Sequence, residues 1–512
     1  MAVAIFSPEG PCPRPRDRCP TRAAAACIAC TASPVLAHGF GQRFDLPLPL
    51  TLWLVGAGAT IVLSFALIAL FVRERAIGTR LTSIYVGRFA VVRSFAQPRF
   101  LAPVRFIAVA LFALTIAAGL FGAQNAYTNL IVTMVWIVWW VGFAFICALI
   151  GNVWALVNPL RTIFCWIESV FPTVVRRPPP WAGHRDVSAM GAWPAVVLFW
   201  LFAWCELIWR GKDVPSELAA AVIAYAVITW FGMLIFGATR WLENGEAFSV
   251  AFGVLARFAP LGVAMGRQGP VVHLRPPGAG LVIGRPVRFS YLFFVLLMLA
   301  TVTFDGFQET PLMQRIDTAA QMSHFTATLL FELSEWGLDE TQLVHTAALV
   351  VFPLLFLAAF WIACVLMARL SARRPLATGQ EMPTVSDVAR TFVLTLVPIA
   401  VAYHLSHYFS LLLTAGQFII PLASDPFGFG WNLFGTARYK VDLGIVSPYV
   451  VWYTAVTLIV VGHVIAVYLA HVDALRLFGD RRAALLSQIP MMLLMIAYTT
   501  LSLWIFAQPI VG

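Results

Sequence analysis

The sequence predicts an all-α membrane protein, a polytopic bundle of about ten transmembrane helices. Hydrophobic residues make up 60% of the 512-residue chain, and charged residues only 11%. A water-soluble fold of this size could not hide so much apolar surface. Apolar runs recur along the whole chain, and most are close to the roughly 20 residues that a bilayer-crossing helix needs. Arginine is concentrated in alternate connections between these runs.

The apolar runs define the predicted spans. In order they are about 50–72, 106–123, 129–151, 191–209, 217–238, 289–304, 345–368, 391–413, 448–470 and 485–508. The run 289–304 is short, and the run 129–151 can be extended to Val157. Nine and eleven spans therefore remain alternatives to ten.

The charges of the connections predict the orientation of the bundle. Residues 73–105 contain seven Arg and one Glu, and residues 239–288 contain six Arg and two Glu. Residues 305–344 contain seven acidic residues and one Arg. Because basic residues favour the cytoplasmic side, we expect the first two segments inside and the third outside, with both ends of the mature chain outside. No basic block is interleaved with aromatic residues, so nucleic-acid binding is not expected.

The amino terminus, residues 1–37, has the pattern of a signal peptide. Several arginines precede the weakly apolar AAAACIACTASPVLA. Cleavage after Ala37 would leave His38 first, with its amino group and imidazole able to chelate copper or zinc. An uncleaved tail, a different start site, or a histidine left there by chance are the alternatives. Residues 38–512 are predicted to form a single transmembrane domain.

Two connections have apolar patterns of their own. The stretch NGEAFSVAFGVLARFAPLG, within residues 239–288, predicts a helix that lies in the inner membrane interface. Residues Pro311 to Gly337 predict a re-entrant or surface helix on the outer side.

Ionisable side chains at membrane depth are costly and usually mark a pathway or a cofactor. The string AYHLSHYFS places His404 and His407 three residues apart, so both can turn towards one partner. His463 lies in the next span at a comparable depth, and Glu206 lies in the outer part of its own span. Three neutral imidazoles could hold zinc or copper, and two could hold haem. Hydrogen bonds between helices are the alternative role for these histidines.

A second cluster is predicted at the outer surface. Asp305 directly follows the sixth apolar run, and further acidic and imidazole groups come after it: Glu309, His324, Glu332, Glu335 and His345. Together with His38 and Glu206, this set could hold one or two divalent metals, with a carboxylate that bridges them or acts as base. The alternative is that outer connections are acidic only because basic residues are excluded from them.

Several strings along the chain together resemble the fenitrothion hydrolases, a family of bacterial membrane-bound organophosphorus hydrolases. The resemblance covers about His38 to Gly512 and is carried by AHGFGQRFDLPLPL, VWIVWWVGFAF, GNVWALVNP, GEAFSVAFGVLARFAP, AYHLSHYFS, SDPFGFGWNLFGT, GHVIAVYLAH and SLWIFAQPIVG. It implies cleavage of a thiophosphate triester to a nitrophenol, a location in the bacterial inner (cytoplasmic) membrane, and a second membrane subunit. It supplies no catalytic residue set that transfers position by position.

The resemblance suggests one economical mechanism. A neutral, lipophilic triester would partition into the bilayer and reach a site between helices, where metal-bound hydroxide attacks phosphorus. His404, His407 and His463 are then the metal ligands, with Asp305 or Glu206 as base or additional ligand. A haem-binding redox protein and a metal transporter that uses the same histidines are the alternatives.

Overall fold

A computed structural model describes residues 49–71, 84–86, 89, 98–172, 190–266, 269–335, 337, 339–371 and 383–508. The predicted signal peptide, its cleavage site and His38 lie outside these residues. The helices of the first half are α1 (Leu50–Phe71), α2 (Pro98–Phe121), α3 (Leu130–Leu149), α4 (Trp154–Val157), α5 (Pro159–Val170), α6 (Trp193–Leu207), α7 (Pro215–Phe236), α8 (Ala238–Asn244) and α9 (Ala247–Phe258). The second half contains α10 (Phe289–Gln308), α11 (Pro311–Met322), α12 (His324–Ser334), α13 (Glu340–Ser371), α14 (Val385–Ser424), α15 (Pro448–Phe478) and α16 (Arg481–Phe506).

The all-α, multi-pass class is confirmed. Within the described residues, nine helices are long and apolar enough to cross a membrane, and each coincides with a predicted span: α1, α2, α3, α7, α10, α13, α14, α15 and α16. The tenth predicted span, 191–209, corresponds to α6, which has 15 residues. At 1.5 Å per residue it is about 22 Å long, shorter than the ~30 Å hydrocarbon core.

Although it is short, α6 runs parallel to the spanning helix α10. At the start of both helices, the Ser290 hydroxyl accepts a hydrogen bond from the Ala192 backbone N–H at 2.8 Å. At their far ends, Glu206 and Asp305 both lie within reach of the Tyr408 hydroxyl. Because α6 follows α10 along this length, the carboxylates of the two helices come to the same end of the bundle.

The centre of the bundle is formed by α10 and α14. In α10 nearly every side chain from Leu292 to Phe307 is buried. Most residues of α14 between Val388 and Ser406 are also buried. A helix that is apolar on all faces needs neighbours on all faces, so these two helices are surrounded by the others.

Three short strands form a small antiparallel sheet in the order β1–β3–β2. They are β1 (Ile84–Tyr85), β2 (Leu261–Gly266) and β3 (Gly269–Leu274). Ile84 pairs with Leu274, and Leu261 pairs with Leu274 from the other side. The sheet joins the two arginine-rich segments predicted to face the cytoplasm, which agrees with their lying on one side.

The segment predicted to lie in the inner interface instead enters the bundle, and that prediction is wrong. After α7, Gly237 has a φ of +83°, and the chain turns back along the helix it has just left. Trp241 of α8 stacks on Phe236 with ring centroids 5.5 Å apart. It also fills the space over Gly232, where a Cβ would lie 2.2 Å from the indole. The tip of the turn reaches Tyr225, about 16 Å along α7 from its inner end.

Helix α9 then returns to the inner side, and α8 and α9 together form a re-entrant hairpin. Residues Ala247 to Ala256 are nearly all buried. Glu246, also fully buried, caps α9 by accepting the N–H groups of Phe248 at 3.0 Å and Ser249 at 2.7 Å, and it accepts a hydrogen bond from the Tyr225 hydroxyl. These bonds satisfy the carboxylate, and the helix can therefore start inside the membrane.

The two outer helices, α11 and α12, do not enter the bundle. Met322, Phe325 and Phe331 are exposed by 66–81%. The single helix predicted for Pro311 to Gly337 is thus divided in two at Ser323, and its re-entrant or surface position stays a prediction.

We predict that Glu246→Ala destabilises the protein by roughly 2–4 kcal/mol, because the change removes a buried cap and leaves the Tyr225 hydroxyl without its acceptor. Thermal unfolding of the detergent-purified protein measures this. The matched control is Asp480→Ala, which removes the exposed cap of α16 and should cost about 1 kcal/mol. Equal losses in the two variants would contradict the buried role of Glu246.

Candidate functional site

Asp305 is the centre of a buried polar cluster near the outer end of α10. Its Oδ2 atom lies 2.8 Å from His407 Nε2 and accepts a 2.7 Å hydrogen bond from the Tyr408 hydroxyl. Its Oδ1 atom accepts from Gln308 Nε2 at 3.2 Å. The side chains of His407 and Asp305 are only 5% and 8% exposed. Asp305 therefore lies inside the helix and the core, not in the outer connection where the sequence predicted it.

Glu206, the other predicted catalytic carboxylate, joins this cluster through Tyr408. Its Oε1 atom lies 3.5 Å from the Tyr408 hydroxyl, whose single proton serves the shorter bond to Asp305. Lys212, in the turn after α6, donates to the Glu206 carbonyl oxygen at 2.9 Å. The two carboxylates that the sequence singled out are thus brought to one hydroxyl group.

The outer mouth of the cluster carries Glu309, which directly follows α10. Burial raises the pKa of this carboxyl, and the nearby Asp305 carboxylate acts in the same direction, while Lys212 and His407 oppose both. The outer mouth therefore contains both acidic and basic side chains that interact electrostatically with one another.

A small cavity lies beside the cluster, between α3, α6, α9, α10 and α14. Its volume is about 30 Å³, which is room for one or two water molecules. The polar side chains that line it are Trp140, Glu206, Thr301, Asp305, His404 and Tyr408, and the rest of the lining is apolar.

Two of the lining side chains have buried nitrogen atoms without a hydrogen-bond partner among the described residues. They are Nε1 of Trp140 and Nε2 of His404. The Trp140 indole lies beside Glu206 and Tyr408, but its N–H meets neither with hydrogen-bond geometry. Buried polar atoms are nearly always paired, so these two point to a ligand or a water molecule in the cavity.

The geometry does not unite the three histidines predicted to hold an ion. Helix α14 turns Pro398, Ala402 and Ser406 towards α15, where Gly462 lets the backbones approach. The Ser406 hydroxyl donates to the Ala402 carbonyl of its own helix at 2.7 Å and lies 3.3 Å from the Ala455 carbonyl of α15. His404 lies on the opposite face of α14, at about 200° from Ala402.

The ring contacts agree with this separation. The His404 ring packs edge-on against Trp140 at 5.5 Å and also contacts Phe145. His463, on α15, is bonded through Nδ1 to the Ile459 carbonyl of its own helix at 2.7 Å. Equal spacing and depth along two helices do not make the rings converge, because each helix fixes the direction of its own side chains.

The predicted outer cluster comes together only in part: Glu206, Asp305 and Glu309 lie close to one another, whereas His324 and His345 do not join them. His345 lies 3.2 Å from Asp317 and ties α13 to α11, whereas His324 is exposed. His38 lies outside the described residues. Among the residues that the structure describes, no three His, Cys, Asp or Glu side chains are arranged to hold a metal ion. Binding of a metal ion or of haem stays a prediction, and the positions of these side chains do not support it.

Sequence reasoning missed Tyr408 and Trp140. Tyr408 directly follows His407 in AYHLSHYFS, but a tyrosine is neutral at membrane depth, so it gives no signal of a site. Trp140 lies in a ten-residue π-helical stretch of α3, Thr133–Gly142, whose wider turn changes which side chains face inwards. No periodicity argument based on 3.6 residues per turn could have assigned that face.

We predict that Gly306→Ala destabilises the protein by about 1–3 kcal/mol through overpacking at this site. A Cβ there would lie 2.9 Å from the Tyr403 hydroxyl and 2.8 Å from Ile505 Cγ2. Adding Tyr403→Phe should recover part of the loss, measured by thermal unfolding. Gly56→Ala, where nothing lies within 4 Å of the new methyl, is the control and should be neutral or slightly stabilising. A Gly306→Ala protein as stable as the control would contradict the close packing.

Comparison with protein-family models, curated proteins and solved structures gives no match to this chain. The function of the site is therefore inferred from the chemistry of its residues.

Proposed function

We propose that the protein is a membrane-embedded hydrolase of organophosphorus triesters that uses Glu206 as general base. The observation that carries this proposal is that two carboxylates and two unpaired buried nitrogens line the same cavity. Hydrolysis needs a general base, hydrogen-bond donors and space for a water molecule. The resemblance of the whole chain to fenitrothion hydrolases supports a thiophosphate triester as the substrate.

In the proposed reaction, a water molecule in the cavity gives a proton to the Glu206 carboxylate as its oxygen forms a bond to phosphorus. The bond from phosphorus to the aryl oxygen breaks, and the leaving group departs as nitrophenolate. A nitrophenolate is a weak base, so its departure needs no proton donor. The proton on Glu206 is released to water afterwards.

Negative charge develops on the phosphoryl sulfur or oxygen during the attack. The Trp140 N–H, and His404 when Nε2 carries its proton, can donate to that atom. Preorganised donors in a water-poor site are worth more than the same donors in water. His407 and Tyr408 act as positioning residues, because they hold the Asp305 carboxylate beside the reacting water.

The size of the cavity sets a condition on this proposal. Pockets for small organic ligands usually have several hundred Å³, and this one has about 30 Å³. The site must therefore open when a triester binds. A neutral, lipophilic triester would come from the bilayer, which agrees with a site enclosed by spanning helices.

A bacterial inner membrane is the location we propose, because the arginine-rich connections alternate as they do in proteins of that membrane. A second membrane subunit is proposed on the resemblance alone. No step above uses a metal ion, since the described side chains do not gather around one. Elemental analysis and the visible spectrum of the purified protein test for zinc, copper and haem.

We expect Glu206→Gln to lower the rate of nitrophenol release from fenitrothion by at least about 10²-fold, because the amide keeps the shape but cannot accept the proton. The assay uses purified full-length protein in lipid nanodiscs. Glu217→Gln, an exposed carboxylate on the same outer side, is the matched control and should keep full activity. Wild-type protein without nitrophenol release, or a Glu206→Gln protein with full rate, would refute the proposal.

Proton transfer is a second candidate, favoured by a cavity that fits only water. Water molecules between Glu206, Tyr408 and Asp305 could pass protons along the cluster. In liposomes with an internal pH dye, an imposed potential should then drive acidification that Asp305→Asn abolishes. Acidification equal to that of empty liposomes would exclude this function.

A further inference from the structure

A second cavity lies at the opposite end of the bundle from Asp305. We call it the inner groove; it has a volume of about 590 Å³ between the start of α2 and the pair α4 and α5. Arg105 and Arg161 line it, together with apolar side chains that include Phe106, Ile107 and Trp166. The groove is thus basic and apolar at once.

Among the described residues, no carboxylate forms an ion pair with Arg105 or Arg161. Arg105 donates through Nε to the Leu156 carbonyl at 2.9 Å, which ties α2 to α4. Arg161 is exposed and forms no side-chain hydrogen bond within the same residues. Within the described part of the chain, no ion pair therefore compensates the positive charge at the groove.

The position of the groove indicates the inner membrane surface. Helix α2 begins within the arginine-rich segment 73–105, and α4 and α5 follow the inner end of α3. Helix α5 is amphipathic, with Leu160 and Phe164 buried and Arg161 and Ser169 exposed. A tryptophan such as Trp166 is typical of the level where headgroups meet acyl chains.

We propose that the inner groove binds an anionic glycerophospholipid of the cytoplasmic leaflet. The phosphate oxygens accept hydrogen bonds from Arg105 and Arg161, since a guanidinium matches a phosphate in charge and geometry. The acyl chains lie against Phe106, Ile107 and Trp166. Basic pockets between spanning helices on the cytoplasmic side recognise such headgroups, and a soluble anion would not use the apolar part. This site is independent of the proposed hydrolase function.

Cys165 offers a local readout, because it lines the groove and is exposed, whereas Cys147 and Cys364 are buried. The full-length protein in detergent is treated with a maleimide, and the rate at Cys165 is followed by peptide mass spectrometry. We expect phosphatidylglycerol to slow this rate several-fold. Phosphatidylcholine and inorganic phosphate should each leave it unchanged.

Arg161→Gln should require about tenfold more phosphatidylglycerol for the same protection, which corresponds to the loss of one charged contact. Arg161 is exposed, so the fold should survive the change. Arg285→Gln, an exposed arginine outside the groove, is the matched control and should behave as wild type.

Several outcomes would overturn this site. Equal protection by phosphatidylcholine means that the groove takes acyl chains without reading the headgroup, and protection by inorganic phosphate means a soluble anion. A Cys165 that resists the maleimide without any lipid means that another part of the chain covers the groove. Unchanged protection in Arg161→Gln removes the arginine from recognition.

Discussion

A carboxylate inside a membrane protein is stable only if its charge is met by donors, and Asp305 is the clearest case in this chain. Three side chains, from His407, Tyr408 and Gln308, bond its two oxygens. Two of these side chains belong to α14. The hydrogen bonds that the Asp305 carboxylate needs therefore fix how α10 and α14 pack against each other. Gly306 makes that meeting close, because a side chain at this position would collide with α14 and α16. The neighbouring helix α6 adds Glu206 at the same level.

The spans could be predicted because a bilayer-crossing helix needs a certain length and an apolar composition, and a single polar residue seldom hides that pattern. Nine predicted spans correspond to long apolar helices, and the short α6 could be predicted because its apolar run from Trp193 to Cys205 is unbroken. The re-entrant hairpin could not be found in this way. Its helices have 7 and 12 residues, below the length of a span. Its burial depends on the bonds of Glu246 to Tyr225 and to the start of α9, which the apolar pattern does not show.

Part of the candidate site could be predicted from the sequence and part could not, and the difference has a physical reason. Glu206 stood out because ionisable groups are rare in apolar sequence, and Asp305 because it begins an acidic outer connection. The two do meet. The imidazoles of His404, His407 and His463 also stood out, yet their directions depend on how each helix is rotated against its neighbours. Sequence spacing gives the angle between two residues of one helix, but not the angle between residues of different helices. The neutral partners Tyr408 and Trp140 carry no such signal at all.

The re-entrant hairpin has a consequence for the order of assembly during synthesis. Leu255 of α9 lines the small cavity together with Ala400 and His404 of α14, which leaves the ribosome about 150 residues later. Most other partners of α9 precede it in the chain, since Phe248 packs against Trp139 of α3 at 4.3 Å and against Phe202 of α6 at 4.7 Å. The hairpin is thus expected to enter the bilayer soon after it is made, against α3 and α6, whereas the small cavity beside it closes only once α14 has been inserted.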